Sequence, residues 1–235
     1  MEKLMQAFKN GLFTSKSRRQ FLAFVGAMSL AMVAAGGFAT SAITSVHAQD
    51  VSVPMDELMA KEALPDIVQG KADAPVTIIE YASMTCSHCA AFHIETYPVL
   101  LKKYIDTGKV RFILREFPLD PLAAAGFMLA RCAGPDKRDA MIDLLFNKQK
   151  YWAFTDKPLE ALANLVKQTG MDQKAFDTCV NEQALYNEIN EVRDRAAQKF
   201  GVNATPTFFI DGKKVAGEMN PQILDKLLQP LLKKS

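Results

Sequence analysis

Val76-Thr77-Ile78-Ile79-Glu80-Tyr81-Ala82-Ser83-Met84-Thr85-Cys86-Ser87-His88-Cys89 is the stretch on which the reading of this chain turns. Residues 76–81 are apolar on both faces apart from Glu80, the pattern of a central strand covered on two sides. Beyond Cys89, Phe92, Ile94, Tyr97, Leu100, Leu101 and Tyr104 recur at helical spacing until Asp106-Thr107-Gly108. Pro98 lies inside that run and removes the hydrogen bond to residue 94, which predicts a kink. Val110–Glu116 then reads as a second apolar strand. Strand, helix and strand in so short a span form a βαβ unit with a right-handed crossover.

This placement puts Cys86 and Cys89 at a helix start, close enough to bridge. There the helix macrodipole and unpaired N–H groups favour a thiolate on the first sulfur. A CxxC alone is open to redox work, zinc binding or chance. Zinc would need a second ligand pair, and Cys132 and Cys179 fall in predicted helices without knuckle spacing, so no metal is expected. The strand–CxxC–helix context favours disulfide exchange.

From residue 122 to 200 the periodicity becomes helical, with helices predicted at 122–132, 136–149, 158–168, 172–180 and 183–199. Gly134-Pro135, Pro158 and Gly170 break them, and Leu185, Ile189, Val192, Ala196 and Phe200 form one stripe on the last. Strands return at Thr207–Ile210 and Lys213–Ala216 around an Asp211-Gly212 turn, and a helix at Pro221–Leu232 closes the chain. Ahead of the first strand, a short helix is expected at 55–63 with a stop at Pro65. The fold class is α/β, a small sheet divided by an all-helical insertion: 49–121, then 122–200, then 201–235.

Thr205-Pro206 stands directly before the strand Thr207-Phe208-Phe209-Ile210. An X-Pro bond at such a site is open to the cis form, although proline also serves as an ordinary strand start. Together with the CxxC, the pair resembles the proline loop of thioredoxin-like proteins, a resemblance that implies a site receiving an extended peptide.

The 235 residues are 49% hydrophobic, ordinary for a folded globular protein. Residues 1–48 stand apart: Lys3, Lys9, Lys16, Arg18 and Arg19 precede an uncharged apolar run from Phe21 to Ile43, and Val46-His47-Ala48 fits a signal-peptidase site. Cleavage after Ala48 is expected, with a retained membrane anchor as the alternative. Ser17-Arg18-Arg19-Gln20-Phe21-Leu22 resembles a twin-arginine export signal, the alternative being an ordinary secretory start. Without this stretch the chain is close to neutral, because five of its 28 basic residues and one of its 26 acidic ones lie there. A nucleic-acid footprint is therefore not expected. All four cysteines follow the export segment, which implies an oxidising compartment.

Glu80-Tyr81-Ala82-Ser83-Met84-Thr85-Cys86-Ser87-His88-Cys89, the helical insertion, and Thr205-Pro206-Thr207-Phe208-Phe209-Ile210-Asp211-Gly212 together resemble the DsbA-type thiol:disulfide oxidoreductases of the periplasm. The resemblance implies a thioredoxin fold with an inserted helical domain, and a dithiol oxidase acting on newly exported cysteine-containing proteins. It implies no cofactor beyond the Cys86–Cys89 disulfide, a DsbB-like quinone-linked membrane partner for reoxidation, and a Thr205-Pro206 loop facing the CxxC. Glu80 corresponds to a buried acid that assists proton movement at the inner cysteine; its alternative is a strand-end carboxylate reaching solvent. The sequence departs from the best-known members at Ser87, where they carry proline, and the two middle residues tune thiolate stability.

Within that scheme Cys86 exchanges, Cys89 resolves, and His88 supplies a donor or a positive charge beside the thiolate. His93 has no comparable claim. An even cysteine count suggests a second disulfide, Cys132–Cys179, with two buried free thiols as the alternative. Met84 reads as core, and Asn203-Ala204-Thr205 as a chance glycosylation sequon. A monomer is expected. An isomerase or reductase on the same fold is the second reading, disfavoured as an isomerase because the segment before Val76 is short for a dimerisation domain. A non-catalytic binder of peptides or metal is the third.

Overall fold

In the computed structural model, which describes residues 52–233, five strands form one mixed sheet. They are β1 (Ile67–Gln69), β2 (Val76–Ala82), β3 (Val110–Glu116), β4 (Thr207–Ile210) and β5 (Lys213–Ala216), in the spatial order β1-β3-β2-β4-β5. Only β2 and β3 run parallel, as the βαβ unit requires; the other pairings are antiparallel. The export segment expected at 1–48 lies outside the described residues.

The register builds apolar rows across the sheet. Glu80 of β2 stands opposite Leu114 on one side and Phe208 on the other, so the lone carboxylate of the strand occupies the middle of an apolar row. Its neighbour Tyr81 points to the other face, alongside Arg115. There Arg115 donates to both oxygens of Asp66, at 2.7 and 3.0 Å, and to the Tyr81 hydroxyl at 2.9 Å, with Glu62 3.1 Å away. That buried cation has a full set of acceptors.

The helical segment α2 spans residues 87–105 and packs over the Glu80 face through Phe92, whose ring lies 4.8 Å from Phe208 and 6.3 Å from Phe112. In place of the simple kink expected at Pro98, α2 alternates α turns (Ser87–Ala91, Tyr97–Leu100) with π turns (Phe92–Thr96, Leu101–Ile105). The Tyr97 N–H reaches back to the Phe92 carbonyl, a widened turn that accommodates the missing Pro98 donor. After the short α1 (Met55–Leu58), which ends well before the expected residue 63, the chain enters β1. The three residues of β1 sit in a stretch without alternation, which is why periodicity did not reveal this edge strand.

The insertion comprises α3 (Pro121–Cys132), α4 (Pro135–Asn147), α5 (Gln149–Trp152), α6 (Pro158–Val166), α7 (Gln173–Val180) and α8 (Gln183–Phe200). Helix starts follow the capping chemistry: Asp120 Oδ1 accepts from the Ala123 N–H, and Asp172 Oδ1 from the Ala175 N–H, each at 2.8 Å. Gly126 is a close approach: a Cβ there would meet Met84 at 3.0 Å, so glycine lets α3 lie against the loop that carries the CxxC. The last helix, α9 (Pro221–Leu232), is tied to α2 through Tyr104 and Lys103, which both donate to Asp225 at 2.6 Å. Among the described residues, no helix is long and apolar enough to cross a membrane.

Candidate active site

The loop between β2 and α2 is held from three directions. Within it, the Cys86 N–H donates to Ser83 O at 3.1 Å. From the start of the insertion, Asp120 Oδ2 accepts from the Thr85 hydroxyl at 2.6 Å while Oδ1 caps α3. From α5, the buried amide of Gln149 donates to both Met84 O and Cys86 O at 2.9 Å. Gln149 carries no sequence signal that separates it from other helical glutamines, and it was not among the expected site residues. The helical insertion thus supplies part of the scaffold of the CxxC. Met84 is fully buried beneath it.

Cys86 is the residue before the first helical position, with extended backbone angles, and Ser87, His88 and Cys89 form the first turn. Both sulfurs are thiols and both residues are buried, Cys89 completely. Their acidities are pushed in opposite directions. Cys86 is lowered to about 5, chiefly because the Cys89 thiol donates to its thiolate; burial opposes this, and the Thr205 hydroxyl and the main-chain N–H groups of Cys89 and His88 add to it. Cys89 is raised well above the usual thiol range, first by burial, then by its bond to Cys86 and by the charge of Glu80.

Thr205-Pro206 is a cis peptide, and the loop lies against the sulfur: the Cys86 thiol donates to Thr205 O at 3.2 Å. The Thr205 hydroxyl is buried without a hydrogen-bond partner. The two facts describe the two protonation states. A thiol gives its proton to the carbonyl; once ionised it has none to give, and the unengaged hydroxyl becomes the donor that the thiolate accepts.

Ser87 and His88 are exposed. The His88 contribution to the thiolate comes from its main-chain N–H, where the sequence suggested a side-chain donor or charge. Glu80 does not reach solvent: it is 0% exposed, and its Oε2 lies 2.9 Å from Nε2 of His93, itself 4% exposed. His93, set aside in the sequence, is therefore the direct partner of the buried acid. The signal for it is spacing, since it follows Cys89 by one helical turn on the sheet-facing side of α2. Cys132 and Cys179 are joined by a disulfide, with Cα atoms 6.2 Å apart, linking the last residue of α3 to the end of α7. Among the described residues, no group of three or more His, Cys, Asp or Glu side chains is placed to hold a metal ion.

A family model described as thioredoxin matches residues 62–230. Of solved structures, alpha-DsbA1 from Wolbachia pipientis is similar over 76% of this chain and 96% of its own, with 31% identity and a TM-score of 0.69. BdbD from Bacillus subtilis, at 24% identity and a TM-score of 0.60 over 72% of this chain and 93% of that one, shares the fold. A curated relative from Rickettsia typhi named "Putative protein-disulfide oxidoreductase" is 30% identical over 148 residues, 63% of this chain and 55% of that protein. The chain spans about half the length of the curated relatives of this kind that it matches. With a thioredoxin sheet, a helical insertion between β3 and β4, and a CxxC facing a cis-proline loop, the chain belongs to the thioredoxin family and within it to the DsbA type.

Proposed function

We propose that this protein is a dithiol oxidase that donates a Cys86–Cys89 disulfide to newly exported, cysteine-containing proteins. The observation that carries the reading is the opposed acidity of the two cysteines, with Cys86 at about 5 and Cys89 far above the usual range. A substrate thiolate attacks Cys86 Sγ, the bond to Cys89 breaks, and Cys89 leaves and takes up a proton. A second substrate thiolate then attacks the substrate sulfur of the mixed disulfide and expels Cys86 as a stable thiolate. Stabilising that leaving group favours the reduced enzyme, so the disulfide is readily given away.

Substrate reception draws support from two features. The Thr205-Pro206 loop offers main-chain groups beside the sulfur, suited to pairing with an extended peptide. Leu119, Tyr151 and Phe154 are large, apolar and exposed, and they sit on or next to the segments hydrogen-bonded to the CxxC loop. Unfolded chains present the complementary apolar surface. A periplasmic setting is supported by the basic-then-apolar start of the sequence and by the second disulfide. Reoxidation by a quinone-linked membrane protein completes the cycle in this reading.

Equilibrating the protein with glutathione buffers and counting Cys86 and Cys89 thiols gives the reduction potential. An oxidase should be more oxidising than about −180 mV, whereas a value near the roughly −270 mV of thioredoxin would replace the oxidase by a reductase.

A further inference from the structure

Two lysines near the CxxC lean on a ring where other lysines of the molecule lean on acids. Lys103 meets Asp225 at 2.6 Å and Lys157 meets Glu160 at 3.2 Å. Lys148 and Lys150, both exposed, instead hold their ammonium groups over Tyr151, 5.9 and 4.9 Å from the centre of its ring. Among the described residues neither forms an ion pair. Tyr151 is itself 59% exposed, and Phe154, three residues on, 60%. Two cations beside two open rings suit a partner that is apolar and negatively charged at once. The other charges of this segment do not cancel them. Lys157 is engaged with Glu160, Asp156 lies beyond Phe154, and Asp143 of α4 lines the cavity beside His93.

This surface is coupled in space to the exchanging sulfur. Gln149, which stands between the two lysines in sequence, donates to Cys86 O at 2.9 Å, and the Cys86 thiol donates to Thr205 O at 3.2 Å. The α5 turn and the Thr205-Pro206 loop therefore touch the same residue. A segment received by that loop with its cysteine at Cys86 advances roughly 3.3 Å per residue. Side chains about two to four positions from the cysteine then lie roughly 7–14 Å away, far enough to meet α5.

We propose that Lys148 and Lys150 select among substrates: exported segments with Asp or Glu within about four residues of the attacking cysteine, beside an apolar side chain, are oxidised in preference to basic ones. The proposal rests on the reading of Cys86–Cys89 as the disulfide that is donated. The carboxylate pairs with the ammonium groups while its apolar neighbour covers Tyr151 or Phe154. Because the chain beyond the export segment is close to neutral, the preference is local to these lysines and not a property of the whole molecule's field.

Two dithiol peptides with the same leucine, differing only in Asp or Lys at positions flanking the first cysteine, test it. Loss of peptide thiols on mixing with the disulfide form gives two second-order rates. Their ratio cancels the folded fraction, and comparing ratios between proteins cancels the thiol acidities of the peptides themselves. In Lys148→Gln with Lys150→Gln the Asp-to-Lys ratio should fall about fivefold from its wild-type value at low salt, as expected for two exposed ion pairs. The wild-type and variant ratios should converge in about 0.5 M salt. A fall of less than twofold, or one that persists at high salt, would overturn the proposal. If the double variant does not fold, Lys150→Gln alone should lower the ratio about twofold, and an unchanged ratio there is equally decisive against it. Failure of the wild type to oxidise either peptide would strike the oxidase reading itself.

Discussion

Four cysteines in one chain meet two opposite fates, and helix polarity divides them. Cys86 and Cys89 open a helix, where free N–H groups converge and a negative sulfur is welcome. Cys132 and Cys179 close two helices, where carbonyl groups converge and a thiolate is disfavoured. The first pair is three residues apart, with Thr205 beside it to hold an ionised sulfur. The second is 47 residues apart and fastens α3 to α7. Exchange needs a thiolate that leaves easily, whereas a staple needs thiols that do not. The same bond type thus serves chemistry at one helix terminus and architecture at the other.

The largest effect should come from crossing the two pairs. Cys86→Ala is expected to abolish oxidation of a reduced dithiol peptide, with Cys132–Cys179 intact and unable to substitute. Cys132→Ala with Cys179→Ala should leave that rate unchanged and lower the unfolding free energy by about 2–4 kcal/mol, since the lost link closes a long loop. Urea unfolding and a peptide-oxidation assay on the same preparations read both. Loss of exchange in the second variant would break the division between the pairs.

Next in size is the pH response. Ultraviolet thiolate absorbance of the reduced protein should rise with a midpoint at about 5. Thr205→Val, which removes the unengaged hydroxyl, should move the midpoint up by about one unit. Because the folded value for Cys86 lies below the unfolded one, its contribution to the stability of the reduced form is full above the ordinary thiol range and is lost as pH falls through about 5. Cys89, raised in the fold, contributes below the ordinary range and loses that contribution as pH rises beyond it. The oxidised form has neither thiol, so reduced and oxidised unfolding curves should draw together as the pH approaches 5. Curves that stay parallel between pH 5 and 9 would contradict the assigned thiolate.

Much of this was legible in the sequence because it is local. Strand β2, the helix start and Pro206 announce themselves by an apolar run, spacing and residue type, and the insertion by its helical period. The parts that were not legible depend on distant segments meeting. Gln149 reaches the CxxC loop only because α5 folds back onto it. His93 becomes a partner of Glu80 only because α2 lies over β2 with that face inward. The π turn over Phe92–Thr96 likewise follows from Pro98, which must be accommodated without ending the helix, a choice that packing makes. For His88, the contribution seen at the Cys86 thiolate is that of its main-chain N–H, which no side-chain signal in the sequence announces.

Ser87 offers the finest test of whether backbone or side chain sets the thiolate. It is the first helical residue, a position where proline's fixed φ is compatible and its missing N–H is tolerated. The main-chain donors that hold the Cys86 thiolate belong to His88 and Cys89, one and two residues further on. Ser87→Pro should therefore leave those donors in place and shift the thiolate midpoint by less than about one unit, a smaller change than Thr205→Val produces. The side chain of Ser87 is exposed, so its loss removes no packing. A larger shift on Ser87→Pro than on Thr205→Val would mean that the shape of the first turn, rather than its count of donors, governs the acidity of Cys86.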